Sequence, residues 1–570
     1  MTQEERFKII NNDYTDLFIE YNRNVNLLDR FPNSTIHTLN TRYAIAYVQN
    51  SQLTDTFIKR FGYSPLPQCY GLLSEQSLEA SKVPKLRRLP KFNLRGNGVL
   101  IAIIDTGIDY TNPIFLKADG TSKIVALWDQ TIESEVNYPF DTYYGTEYSQ
   151  VQINAAIKSE NPLDMVPSVD EIGHGTMLAG IAVGNEVPDK KFSGVVPEAD
   201  LIIVKLKQAK PALRNFYVIP SDVPCFQEND IIWAMDYVMK TARKFNRPLA
   251  ICLGIGTSQG SHDGRGPMSN DLLIRADIPE ITITIAAGNE GNLRRHFYST
   301  VESFQSPVTV DLNVGEKEPG FSMELWGSTP NTYSIEIQSP AGEVIPRIPE
   351  SLRVNQLVRF IFEQTIINVD YQLIETHTGD QLILLRFRNP TPGRWIFKVY
   401  SRGNARGSFH IWLPVNGFIT ENTYFINSDP FTTVTSPGSS LTPITVTAYN
   451  PANDNLYLQA SKGYTRINII KPELAAPGVN IVVPTLEKGF TTASGSSLAA
   501  AHTAGITAML LEWGIIKGNY PGIDSVAIKK YLIRGAKRSP LYEYPNREWG
   551  YGAIDIYNVF NALRVDFPQI

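Results

Sequence analysis

Three short segments of this chain carry side chains able to act together on a carbonyl group. Asp105-Thr106-Gly107 ends an apolar run. His174-Gly175-Thr176 opens the helix-like run MLAGIAVGN, and Gly495-Ser496-Ser497 opens another, LAAAHTAGITAMLLEW. A serine hydroxyl is a weak nucleophile near neutral pH and needs an imidazole to take its proton. The imidazole needs a carboxylate on its other nitrogen, to hold the tautomer and stabilise the cation. Ser497, His174 and Asp105 supply those groups. A fourth segment, AAGNEG at 286–291, sets Asn289 after an apolar run and a glycine. Its amide there can donate to a developing oxyanion, as can the backbone N–H of Ser497 at a helix start.

These residues are far apart in sequence, so a sheet must gather them. Residues 99–105 (VLIAIID) form a continuous apolar run, as a buried parallel strand does, and similar runs fall at 199–205, 248–253, 280–287 and 443–448. A helical pattern spans 228–245. Strands alternating with helices predict an α/β fold with a doubly wound parallel sheet. Between 300 and 425 the text changes to short alternating runs at 332–338, 356–363, 368–375, 381–388, 394–400 and 407–413, separated by Pro and Gly. This predicts an all-β, jelly-roll-like domain inserted into the α/β domain, with no catalytic residue of its own. At the N-terminus, strands at 15–22 and 42–49 and a helix at 51–61 predict a small α+β unit, broken near 65 by SPLPQ.

Composition narrows the function. Charged residues are 19% of the 570, the net charge is -5 and no Lys/Arg block occurs, which argues against nucleic acid as a partner. GIGTSQG lacks the Lys-Ser/Thr of a phosphate loop. Cys69, Cys225 and Cys252 are not in CxxC spacing, so no zinc knuckle or redox dithiol is signalled. No cofactor is required by this chemistry. Calcium stays open, since scattered Asp and Asn residues form no EF-hand-like run. The N-terminal MTQEERFKIINNDYTDLF lacks the apolar segment of a signal peptide, and no stretch reads as ~20 apolar residues. The expectation is synthesis in the cytoplasm and no membrane span.

DTG, HGT and GSS-L-A, in the order Asp, His, Ser, resemble the signatures of the subtilase family of serine proteases. AAGNEG resembles its oxyanion-hole segment, and KPELAAPGVNI at 471–481 the stretch before its serine helix. The resemblance covers about 96–297 and 430–570. It implies the catalytic triad Asp105, His174 and Ser497 and an oxyanion hole of Asn289 with the Ser497 N–H. It also implies a specificity pocket walled by Gly254-Ile255-Gly256 and Ala286-Ala287-Gly288. Ser496, Leu498, Ala501 and Met177 depart from the usual motifs without removing a triad atom. RGNGVLIAIIDTGIDYTNPIF and the β insertion are most similar to the clostridial germination-specific proteases. That likeness implies a spore-associated endopeptidase that activates the pro-form of a cortex-lytic hydrolase. The alternatives are a weakly active or inactive signalling scaffold of the same fold, and a general intracellular subtilase.

The same resemblance makes residues 1–76 a propeptide that lies across its own active site. Its tail, PLPQCYGLLSEQSLEAS, is expected to add as a strand to the edge near Gly254–Gly256, to be cut after Gln76 (Gln68 being the alternative) and to stay bound. Subtilases favour an apolar residue four places before the cut, and Leu73 would serve for Gln76. The domains are then 1–76, 77–299 and 426–570 as the two catalytic parts, and 300–425. Residues 207–226 are loop-like and either rim the cleft or pad the surface. His502 and Cys252 read as inert core residues, and His262 and His296 as exposed loop residues.

Overall fold

The computed structural model describes residues 1–32, 34–73, 93–139, 141–301, 306–403 and 405–566. The apolar runs become the centre of a nine-stranded sheet. From one edge its order is Asn455–Leu456, Ile444–Asn450, Ile281–Ala286, Leu249–Leu253, Leu100–Asp105, Asp200–Lys205, Ile124–Asp129 and Thr146–Ser149, with Leu474–Pro477 also beside Ile444–Asn450. The inner pairs are parallel, but Asn455–Leu456 and Thr146–Ser149 run antiparallel to their neighbours. The sheet is therefore mostly, not wholly, parallel. Each of these two strands follows its neighbour without an intervening helix, and only a crossover brings a chain back parallel.

Strand order reverses at Leu100–Asp105. The chain moves outward to Ile124–Asp129, returns to Asp200–Lys205, then crosses to Leu249–Leu253 on the other side. Such a switch point opens a crevice at the strand C-terminus, and Asp105 is the last residue of that strand. Alternation then sets its direction. Ile101 and Ile103 enter a core shared with Leu178, Ala179, Leu498 and Ala501, while Leu100, Ala102 and Ile104 enter the opposite core with Trp233, Met235 and Val238. The two-residue period puts Asp105 on the face of Ile101 and Ile103. That face carries the helices His174–Val183 and Ser496–Leu511. The second of these continues to Ile516 and is long and apolar enough to cross a membrane, contrary to the sequence reading. Here every residue of Ser496–Leu511 is buried in the protein.

The insertion is two antiparallel sheets, of six and five strands, closed over Val310, Leu312, Phe321, Ile335, Leu385, Trp395, Phe397 and Phe409. Its first strand, His296–Val301, starts before residue 300. The run at 356–363 is shifted to Arg353–Arg359, because the N–H groups of Ile361 and Phe362 donate to the Glu343 carboxylate instead of to a ladder.

At the N-terminus, the helix Gln3–Ile10 precedes a three-stranded antiparallel sheet with Tyr43–Gln49 between Tyr14–Glu20 and Thr35–Thr38. The helix expected over 51–61 is only Phe57–Phe61, since Thr54 and Thr56 bond to one another at 3.0 Å in a loop before it. One face of the sheet, with Phe18, Tyr43 and Tyr47, packs on the helix Glu228–Phe245. The other, with Leu17, Ile19 and Ala46, shares a core with Trp326, Leu384 and Trp412 of the insertion. Buried polar links tie the three parts. Asp16 accepts from Lys210 Nζ at 2.5 Å and Gln227 Nε2 at 2.7 Å. The buried Arg386 pairs with Asp370 at 2.9 Å and Asp55 at 3.1 Å, and Tyr63 Oη donates to Glu324 at 2.8 Å.

Candidate active site

The structure brings Asp105, His174 and Ser497 together. His174 Nδ1 lies 2.7 Å from Asp105 Oδ1, and His174 Nε2 lies 3.0 Å from Ser497 Oγ. All three are buried. With the Nδ1–H donating to Asp105, Nε2 is left to accept the serine proton, which is the tautomer general-base catalysis needs. Asp105 Oδ1 also accepts from the Thr106 N–H at 2.8 Å.

Each group is held by a local device. The histidine helix starts against Asp170, a residue the motif reading passed over. Its carboxylate accepts from the N–H groups of Gly173 at 2.8 Å and Thr176 at 2.9 Å, from the Thr176 hydroxyl at 2.7 Å and from the Thr106 hydroxyl at 2.8 Å. Asp170 thus joins the aspartate loop to the histidine helix while satisfying orphan N–H groups. An Asp just before a helical run was the available signal. Gly175 is required where it stands, because a Cβ there would run into the Gly107 carbonyl oxygen. Asn289 Oδ1 accepts from the Ser496 N–H at 3.1 Å, and the Ser496 hydroxyl accepts from the Gly288 N–H at 3.1 Å. Ser496, one of the departures from the usual motif, therefore ties the Asn289 loop to the Ser497 helix. An amide held through its oxygen donates through its NH2 end, the end an oxyanion requires.

The groove beside Ser497 is filled by the chain itself. Cys69–Leu72 is the middle strand of three, with Ile255–Gly256 on one side and Phe226–Gln227 on the other. Leu72 is opposite Ile255 and Gly71 opposite Gly256, while Cys69 and Tyr70 face Gln227 and Phe226. Leu73 follows: its N–H donates to the Gly254 carbonyl at 3.2 Å, and its own carbonyl accepts from the Ser497 N–H at 2.8 Å. The residue whose carbonyl reaches Ser497 is thus Leu73. Gln76 lies outside the described residues. Gln68 sits at the far end, where its N–H donates to the Glu228 carboxylate at 3.2 Å. Phe226 ends the 207–226 segment as a rim of the groove, and that segment is not all loop, since Pro211–Tyr217 is a helix with Pro at its first position.

The Leu73 side chain lies against Gly256, one of the glycines expected to wall a specificity pocket. A Cβ on Gly256 would come within 2.9 Å of Leu73 Cδ1, and Gly288, at φ +105°, has no room for one beside Ser461 and Thr435. Thr435 lies between the walls. Its N–H donates to the Ala287 carbonyl at 2.9 Å, Ala287 following Ala286 at the end of its strand. No sequence signal marked Thr435, which enters only as the chain returns from the insertion.

His262 and His296, read as exposed, need correction. His262 and His296 are buried, stacked on Trp412, and His296 Nε2 is 2.9 Å from His410 Nδ1. Burial lowers their pKa values, to about 4 for His262 and about 3 for His296. His502 is buried in its helix. Cys252 is buried too, and desolvation pushes its thiol pKa up, so it holds its proton. Among the described residues, no group of three or more His, Cys, Asp or Glu is placed to hold a metal ion.

A switch-point aspartate, a histidine helix and a serine helix meeting at the strand C-termini define the architecture of a subtilisin-type serine protease. The chain belongs to the subtilase family, whose model matches residues 96–345 and 380–552. It is similar to the CspB protease of Clostridium perfringens, with 30% identity, a TM-score of 0.76, and coverage of 85% of this chain and 97% of that one. It is also similar to the subtilisin-like proteases SBT3.4 and SBT1.9 of Arabidopsis thaliana, at 22% and 23% identity over 503 and 496 residues. Those matches cover 78% and 77% of this chain, which spans about three fifths of the length of these relatives.

Proposed function

We propose that this chain is a serine endopeptidase that first cuts itself after Leu73 and keeps the severed N-terminal unit docked. The observation that carries this reading is the contact of the Leu73 carbonyl with the Ser497 N–H at 2.8 Å, beside a Ser497 hydroxyl 3.0 Å from His174 Nε2. In the reaction, Ser497 Oγ attacks the Leu73 carbonyl as His174 takes its proton and Asp105 stabilises the imidazolium. The Ser497 N–H and the Asn289 amide receive the oxyanion, and His174 returns the proton to the leaving amine. A water that His174 deprotonates then attacks the Leu73 ester, and His174 gives that proton back to Ser497 Oγ as the Leu73 carboxylate leaves. Asp105, His174 and Ser497 carry the chemistry without a cofactor. With Leu73 next to the cut, the residue four places before it is the buried Tyr70, an apolar choice of the kind expected there. The docking area of the unit on the helix Glu228–Phe245 and on the insertion is unaffected by the loss of one peptide bond, which supports retention. The second role is cleavage of another protein. The resemblance to germination-specific proteases, together with similarity to a clostridial CspB protease, favours the pro-form of a spore cortex-lytic hydrolase as substrate, met inside the spore-forming cell. The test is incubation of that purified pro-form with wild type and with Ser497→Ala, alongside fluorophosphonate labelling. Conversion by wild type alone supports the reading. Folded wild type that neither labels nor converts overturns it.

A further inference from the structure

The strand in the groove is covered on a third side by the insertion. Gly71, the third residue before the bond assigned to cleavage, is buried beneath Val415 and Phe418, which lie just after the insertion strand Gly407–Trp412. A Cβ on Gly71 would meet Phe418 Cε1 and Val415 Cγ2, each at 3.4 Å. Those are ordinary van der Waals distances, so a methyl group fits. A branched or longer side chain needs the volume those atoms occupy. Gly71 is not in the left-handed region, so its backbone accepts any L-residue and only the side-chain space discriminates.

Val415 and Phe418 are themselves held in place. Both are buried, and the Phe418 N–H donates to the Val415 carbonyl at 3.1 Å. Between them, the Asn416 N–H donates to Glu290 Oε1 at 3.1 Å, and Arg295 bonds both Asn416 Oδ1 at 3.3 Å and Glu290 Oε2 at 3.4 Å. Glu290 is the residue after Asn289, so this roof is tied to the loop that carries the oxyanion donor. We infer that Val415 and Phe418 are specificity-determining residues that restrict the third position before the scissile bond to glycine or alanine. This rests on the reading of Leu73 as the residue acylating Ser497. It implies protein substrates that present a narrow extended segment with a small residue at that position, a requirement an open groove does not impose.

The test uses the full-length chain and follows self-cleavage with time. Gly71→Ala should be cut at a rate similar to wild type, and Gly71→Val about 10- to 200-fold more slowly, the range set by overfilling an apolar contact. Phe418→Ala in the Gly71→Val background should recover most of the rate, and Phe418→Leu serves where the larger truncation impairs folding. A second readout needs no chemistry: hydrogen exchange at the Leu73 amide in the Ser497→Ala chain. That amide should be protected, lose protection with Gly71→Val and regain it with the Phe418 change. Gly71→Val cut as fast as wild type, or a folded double variant no better than the single one in both readouts, overturns the inference. If wild type is not cut but the exchange pattern is obeyed, the roof stands as a binding determinant and the cleavage reading falls.

Discussion

The backbone N–H of Ser497 donates to the carbonyl oxygen of Leu73 across 2.8 Å. Because the Leu73 N–H is bonded to the Gly254 carbonyl at 3.2 Å, the residue is pinned on both sides and cannot slip along the groove without losing both bonds. A one-residue slip would also turn the tail's side chains onto the wrong faces of their strand. This register underlies the first prediction. Purified wild type should contain two co-purifying chains, the second starting at Ser74, and Ser497→Ala one uncut chain. N-terminal sequencing checks it, and a new terminus after Gln76 would refute the Leu73 assignment.

Within the triad, Ser497→Ala, His174→Ala and Asp105→Asn should each slow cleavage by several orders of magnitude. Their effects should not add, because the three groups act as a unit. Asn289→Ala should cost about 10²–10³ in the rate of the cleavage step, with the folded state intact. Single-turnover cleavage beside circular dichroism separates the two effects. A rate unchanged in Asn289→Ala would remove it from the oxyanion hole.

Asp170→Ala tests positioning rather than chemistry. It strands the Gly173 and Thr176 N–H groups in a buried place, a loss of about 1–3 kcal/mol. Denaturant midpoints should fall accordingly, and fluorophosphonate labelling of Ser497 should slow without vanishing. Asp170→Asn, which keeps an acceptor, should recover part of both.

Acid should loosen the N-terminal unit. His37 is wedged beside Trp233 and Tyr143, and burial lowers its pKa from 6.5 to about 4, against the favourable influence of Asp141. The docked form therefore binds fewer protons than the released one. Its contribution is fully present above pH 6.5 and is lost as pH falls through about 4, to an extent of about 3 kcal/mol for this one group. Size-exclusion chromatography of the cleaved protein at pH 7 and pH 4.5 should show more release at the lower pH. His37→Phe, keeping an aromatic ring in the slot, should blunt the difference. Equal release from wild type and His37→Phe at both values would exclude His37 as the cause.

The meeting of Asp105, His174 and Ser497 was legible in the sequence because their motifs sit at strand and helix ends, where local pattern and chemistry coincide. The helix Glu228–Phe245 was read to the residue for a related reason: one long amphipathic period, closed by Asn246 in the left-handed conformation. What escaped notice was placed by long-range pairing. Thr435 reaches Gly256 and Gly288 only because the chain returns from the insertion alongside Ala287. Buried His262 and His296 look like loop residues in isolation, and only the arrival of Trp412 covers them. The groove register escaped for a different reason. An extended tail carries no periodicity, so the sequence points to a cut after Gln76, or after Gln68, and only the pairing with Gly254–Gly256 shows that it is the Leu73 carbonyl that meets Ser497.

The enclosed middle strand has a kinetic consequence. On the proposed cut after Leu73, Cys69–Leu72 keeps its hydrogen-bonded neighbours on both edges, and an enzyme cut in this way would start out occupied by its own product. Withdrawal of the cut tail from the groove, with the rest of the unit still docked, is a first-order event. The onset of activity toward other proteins should therefore show a lag whose length does not change when the enzyme is diluted, and the fold would act as a timer set at the moment of synthesis.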